Sequence, residues 1–240
     1  MGYRIGFDIG STTIKAVVLD ENNQICYKSY ERHKAQVRQK ALDKLIELKK
    51  YTKEPFKFAI SGSGALGLCE QGELPFVQEV FASATGVSKL YPETDCAIEL
   101  GGEDAKILFF QGSVEQRMNS TCAGGTGAFI DQMATLLNMS LEEMNEASLN
   151  YHRLYPIASR CGVFAKTDIQ PLINQGVDKC DLCASIFQAV VDQTITSLAQ
   201  GRKIEGNILF LGGPLYFMSG LRNRFVETLK LRDAQVNCPE

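Results

Sequence analysis

DIGSTTIK, residues 8–15, ends an alternating apolar run with an acid, a glycine and three hydroxyl-bearing residues. ELGGEDAK, residues 99–106, repeats the plan in the second half of the chain: an apolar run, an acid, a glycine turn, then a lysine. Glycine at such a turn lets the backbone approach a ligand closely, and the exposed N–H groups can receive phosphate oxygens. A carboxylate just ahead of the turn can hold magnesium, usually through water. Lys15 and Lys106 follow their turns closely enough to add positive charge to the same phosphates. A third turn, FLGGPLYF at 210–217, has the glycines without the acid. Neither a Walker A signature nor a G-x-G-x-x-G is read in these turns, so the P-loop and Rossmann readings fail.

Outward from these turns, YRIGFDIG, TIKAVVLD and QICYKSY read as three strands joined by tight turns. Residues 34–50 have helical spacing, with Leu42, Leu45, Ile46 and Leu48 as the apolar face against a basic one. KFAISGSGA returns to strand and ends in a glycine turn, and a helix follows that closes at Pro92. CAIELGGEDAKILFFQGSVEQRMN then restates the opening as three more strands. Such duplication predicts two similar lobes with a cleft between them, residues 1–94 and 95–240. GAFIDQMATLLNMSLEEMNEAS is helix broken near Met139, where Ser140 and Glu143 have capping-box spacing. DLCASIFQAVVDQTITSLAQG is a long helix, and NILFLGGPLYFMSGL is a last strand, turn and helix.

A chain of 240 residues with a net charge of −3 carries no electrostatic footprint for nucleic acid. No apolar run is expected to approach the length of a membrane span, and MGYRIGFDIG lacks the charged head and apolar middle of a signal peptide. The expected location is cytoplasmic. Eight cysteines in a reducing compartment are then better suited to metal ligation or plain packing than to disulfides.

The order of the three turns resembles the actin, Hsp70 and sugar-kinase superfamily, which implies an α/β protein of two ribonuclease-H-like lobes binding ATP and magnesium. By that resemblance Asp8, Gly10, Ser11, Thr12, Thr13 and Lys15 meet the phosphates and metal. Glu99, Gly101, Gly102 and Asp104 form the second loop, and Gly212 and Gly213 approach the adenosine. Glu99 stands where an aspartate is more usual, and the superfamily's final Gly-Ala-Ala segment is missing before the chain ends at NCPE.

TCAGGTGAF, residues 121–129, sets a thiol at the mouth of a glycine-rich helix start, and ASRCGVFAKTDIQPL does so again at Cys161. A helix N-terminus favours the thiolate and stabilises added negative charge. CAGGTGAFIDQ with SRCGVFAKTDI resembles the activator (archerase) family of 2-hydroxyacyl-CoA dehydratases, which includes ATPase subunits of benzoyl-CoA reductases. The resemblance runs from Tyr3 to about Leu221 and is nearest to the N-terminal part of long, multi-domain members. It implies that Cys122 and Cys161 of two subunits hold one [4Fe–4S] cluster at a homodimer interface. It also implies that Gly125, Thr126 and Gly127 serve the nucleotide, with Asp8, Glu99 and Glu103 as the catalytic acids; Glu103 replaces a common glutamine. ATP hydrolysis would then drive an electron, loaded by ferredoxin or flavodoxin, into a partner iron–sulfur dehydratase or reductase. A cubane needs four thiolates, and two per chain meet that number at a two-fold axis.

Cys180 and Cys183, a CxxC pair, are the rival ligands. Cys26 and Cys96 read as packing residues, Cys69 and Cys238 as surface or edge positions, and His33 and His152 as solvated. Two other functions fit the same fold. A small-molecule kinase would need an acid serving as base for a substrate hydroxyl, and a non-redox assembly protein would be indifferent to loss of Cys122 and Cys161.

Overall fold

The computed structural model describes residues 2–53, 55–119, 124–158 and 161–239. The chain divides into two compact units, 1–86 and 87–240. In the first, β1 (Tyr3–Ile9), β2 (Thr13–Leu19) and β3 (Ile25–Arg32) form an antiparallel meander, followed by α1 (Val37–Leu48), β4 (Phe56–Ser61), α2 (Leu66–Gly72) and α3 (Glu79–Leu90), which runs across the division. The sheet order is β3-β2-β1-β4, with β4 parallel to β1. Period-two alternation turns Ile5, Phe7 and Ile9 inward, and Ile14, Ala16 and Val18 of β2 complete that face.

The second unit repeats the plan. β5 (Cys96–Leu100), β6 (Ala105–Phe109) and β7 (Glu115–Met118) form the meander. α4 (Gly127–Leu137), α5 (Leu141–Ser148), α6 (Gly162–Asn174) and α7 (Lys179–Thr194) precede β8 (Ile208–Leu211), α8 (Gly213–Phe217), α9 (Ser219–Leu229) and the short β9 (Val236–Asn237). Its order is β7-β6-β5-β8-β9, with β8 parallel to β5 as β4 is to β1. All five residues of β6 are buried, so this sheet is covered on both faces. α5 begins at the expected capping box: the Glu143 N–H donates to Ser140 Oγ at 3.1 Å and the Ser140 N–H to Glu143 Oε2 at 2.8 Å.

Two expectations are overturned here. α1 does not bury Leu42, Leu45 and Ile46, which are exposed; its inner face is Ala41, Lys44 and Leu48. Lys44 can lie inside because its ammonium donates to Glu47 Oε2 at 2.8 Å and to Tyr27 Oη at 3.3 Å, with Glu31 Oε2 at 3.7 Å. Burial disfavours the charged amine, but these bonds outweigh it and hold the pKa above the ordinary lysine value. A span long and apolar enough to cross a membrane also exists, Lys179–Ala199, made of α7 and the π-helical turn after it. Most of it is buried in the second unit, where Leu182, Ile186, Phe187, Val190 and Val191 are core residues.

Candidate functional site

The first glycine turn hangs between β1 and β2. Asp8 and Lys15 face each other across the hairpin, and Lys15 Nζ lies 2.6 Å from Asp8 Oδ2. Among the described residues the other carboxylate oxygen, Oδ1, is buried with no hydrogen-bond partner, as is Ser61 Oγ, whose residue pairs with Asp8 on the parallel strand β4. A buried carboxylate oxygen without a donor is costly unless a cation or water meets it. Asp8 therefore fits the metal-holding role.

The turn is braced from two sides. The Gly64 N–H donates to Ile9 O at 2.8 Å, and Gly62, at φ +98°, sits so close that a Cβ there would lie 2.3 Å from Ile9 O and 2.4 Å from Asp8 Oδ1. GSGALG, residues 62–67, does have the G-x-G-x-x-G spacing, so that motif is present outside the three turns. Its first two glycines pack on the backbone of β1's end, and the sheet around it is a meander plus one parallel strand rather than a Rossmann unit. On the other side stands His33, buried at 5% exposure rather than solvated, with Nε2 3.2 Å from Gly10 O. His152 is exposed.

The second turn carries the matching pair. Glu99 faces Lys106 across β5–β6, and Lys106 Nζ is 3.3 Å from Glu99 Oε1 and 2.7 Å from Asp104 Oδ2. Gly101 donates to Asp104 O at 2.8 Å, and a Cβ on Gly101 would lie 2.0 Å from Asp104 Oδ1. Glu103 points into solvent-exposed space on the same turn. The third turn closes on the second: Gly212, at φ +89°, would place a Cβ 2.0 Å from Leu100 O. Only glycine tolerates both that dihedral and that approach.

The start of α4 belongs to this cluster. The Gly127 N–H donates to Gly101 O at 2.9 Å and the Ala128 N–H to Gly102 O at 2.7 Å. The first amides of α4 are thus taken by the second glycine turn, and Thr126, its fully buried N-cap, makes no side-chain cap bond. Gly125, at φ +80°, packs against Gln193 of α7. Five residues along α4, Gln132 abuts Gly162: a Cβ there would be 2.6 Å from Gln132 Oε1. Gly162 is the first residue of α6, and Cys161 is its N-cap, in extended backbone with no side-chain cap bond. Val163 and Phe164 beside it are 72% and 66% exposed. Cys122 lies outside the described residues.

The other thiols differ in kind. Burial pushes Cys96 and Cys183 up to about 12 and raises Cys69, Cys180 and Cys238 as well. Cys183 lies in the core, with its Sγ 3.9 Å from Met139 Sδ. Cys69 is buried, not at the surface, and Cys26 is exposed, not packed. Cys96 is buried as expected.

Residues 5–238 match the BadF/BadG/BcrA/BcrD ATPase family. The chain belongs to that family. Among its relatives is the activator of lactoyl-CoA dehydratase of Anaerotignum propionicum, 29% identical over 217 residues, covering 88% of this chain and 83% of the relative. The fold is that of (R)-2-hydroxyglutaryl-CoA dehydratase component A of Acidaminococcus fermentans, with a TM-score of 0.86 and 26% identity over 100% of this chain and 92% of that one. It is equally that of the 2-hydroxyisocaproyl-CoA dehydratase activator of Clostridium difficile with bound ADPNP, with a TM-score of 0.85 and 26% identity over 99% and 88% of the two chains. Family membership makes the chain an ATPase, on the actin, Hsp70 and sugar-kinase fold.

Proposed function

We propose that this protein couples ATP hydrolysis to low-potential electron transfer from a [4Fe–4S] cluster to a partner iron–sulfur enzyme of the 2-hydroxyacyl-CoA dehydratase type. The observation that carries the proposal is the position of α4. Its first two amides are bonded to the Gly101 and Gly102 carbonyls, its flank touches Gly162 beside Cys161, and Cys122 lies five residues before it in sequence. A shift of the second glycine turn would therefore be felt at both cysteine segments through one helix.

In this mechanism Asp8 would hold magnesium, and the amides of the first turn and the second-turn glycines would receive the phosphates. Gly212 and Gly213 pass close to the adenosine, and Glu99 with Glu103 orients the attacking water. Lys106 holds Glu99 and Asp104 in place. Cys122 and Cys161 of two subunits would hold the cluster, which supplies one electron at low potential when bound. Exposed Val163 and Phe164 support the homodimer that this sharing needs, because they place an apolar contact surface next to Cys161. Ferredoxin or flavodoxin is the proposed electron donor.

Iron and acid-labile sulfide measured after anaerobic reconstitution test the proposal. About two irons per chain in a dimer, lost in both Cys122→Ser and Cys161→Ser while ATP hydrolysis persists, is the expected result. Four irons per chain surviving either substitution would overturn it.

A further inference from the structure

His33 follows β3 directly and touches the first glycine turn at two points. Its main-chain N–H donates to Thr12 O at 3.1 Å, and its ring Nε2 lies 3.2 Å from Gly10 O. The other ring nitrogen decides what that second contact is. Nδ1 accepts from the Ala35 N–H at 3.2 Å, so it carries no proton, and in a neutral imidazole the proton is then on Nε2, which donates to Gly10 O. The backbone is bent to make this so. Lys34 and Ala35 are both left-handed, at φ +48° and +63°, and the turn closes with the Gln36 N–H donating to His33 O at 2.8 Å. Consecutive left-handed residues other than glycine are unfavourable and persist where the surroundings over-determine them.

Gly10 is thereby engaged at both ends, since its N–H donates to Thr13 O at 2.9 Å while its carbonyl accepts from His33. The Thr12 carbonyl is taken as well. Among the described residues, the Ser11 and Thr12 amides are left without an acceptor.

We propose that His33 is a positioning residue for nucleotide binding: fixed as the Nε2–H tautomer, it draws the Gly10 and Thr12 carbonyls to itself and so leaves the Ser11 and Thr12 amides to the phosphates. This rests on the first turn being a phosphate loop. Two substitutions separate the ring's two bonds. In His33→Asn the side-chain oxygen falls where Nδ1 was and can still take the Ala35 N–H, but nothing reaches Gly10. In His33→Gln the amide nitrogen extends to the place of Nε2 and can donate to Gly10 O.

Calorimetric titration with magnesium ADPNP, beside thermal melting, reads the outcome. His33→Asn should melt close to wild type yet bind about tenfold more weakly, the loss of one buried hydrogen bond, and His33→Gln should recover most of that loss. Equal affinity in wild type and His33→Asn would overturn the proposal, as would His33→Gln binding no better than His33→Asn. Nitrogen-15 NMR of the imidazole in the wild-type chain is an independent check that requires no variant to fold. A proton found on Nδ1 overturns the proposal, and one found on Nε2 supports it. Wild type that binds no ADPNP would instead reject the phosphate-loop assignment itself.

Discussion

Glu99 and Lys106 face each other across β5–β6 as Asp8 and Lys15 do across β1–β2, but the two lysines differ in burial: the Lys106 side chain is 2% exposed and that of Lys15 37%. One register relationship thus supports two different functions. Lys106 is a buried counter-ion shared by Glu99 and Asp104, and Lys15 remains within reach of solvent.

The energetic consequence is a large asymmetry. Lys106→Ala removes the buried ammonium that Glu99 and Asp104 share, and should cost about 3–5 kcal/mol. Lys15→Ala breaks a pair that water screens, and should cost less than about 1 kcal/mol. Urea unfolding of the two variants measures the difference, and equal costs would contradict the asymmetry.

Gly62→Ala should damage the first turn. Alanine there meets a φ of +98° and a carbonyl at 2.3 Å, so the turn must move. Nucleotide affinity should fall by about tenfold or more, with a loss of more than about 1 kcal/mol of stability. Gly67 has nothing within 4 Å of a Cβ and lies in α2, so Gly67→Ala should be neutral or stabilise by about 0.5–1 kcal/mol.

Cys96 and Cys183 predict an alkaline limit to stability. Their folded pKa of about 12 stands above the ordinary 9.0, so the unfolded chain loses these protons first as pH rises. The stability due to the neutral thiols is whole below pH 9 and is lost between there and 12, by up to about 1.4 kcal/mol per pH unit for each thiol. Unfolding free energies measured across that window should fall less steeply in Cys183→Ala than in wild type.

Phe164→Asp should weaken self-association without unfolding the chain, because the side chain is 66% exposed in the single chain. Sedimentation of the reconstituted protein gives the result. A dimer that withstands the substitution would place the interface elsewhere.

Much of this was legible from local pattern. The glycine turns, the strand alternation of β1 and β2 and the Ser140 capping box are set by neighbours a few residues apart, and each stands where the sequence places it. What was missed depends on distant partners. Lys44 lies inward because Tyr27 and Glu31 come to it from β3, and His33 is buried because Gly10 and Thr12 lie beside it. GSGALG has a familiar spacing, yet its role as a brace follows from Ile9, some fifty residues earlier in the chain. The exchanged positions of Cys26 and Cys69 have the same origin: the strand of Cys26 was foreseen but not which face the rest of the unit would cover, and α2, which carries Cys69, was not foreseen.

The Glu99, Asp104 and Lys106 triad also has a consequence in electroneutrality. Both carboxylates draw on the Lys106 ammonium, so that lysine is already committed within the turn. On the proposed reading the nucleotide's charge is met in large part by the divalent cation it carries, and removal of free magnesium by a chelator should weaken binding of ATP and ADPNP alike.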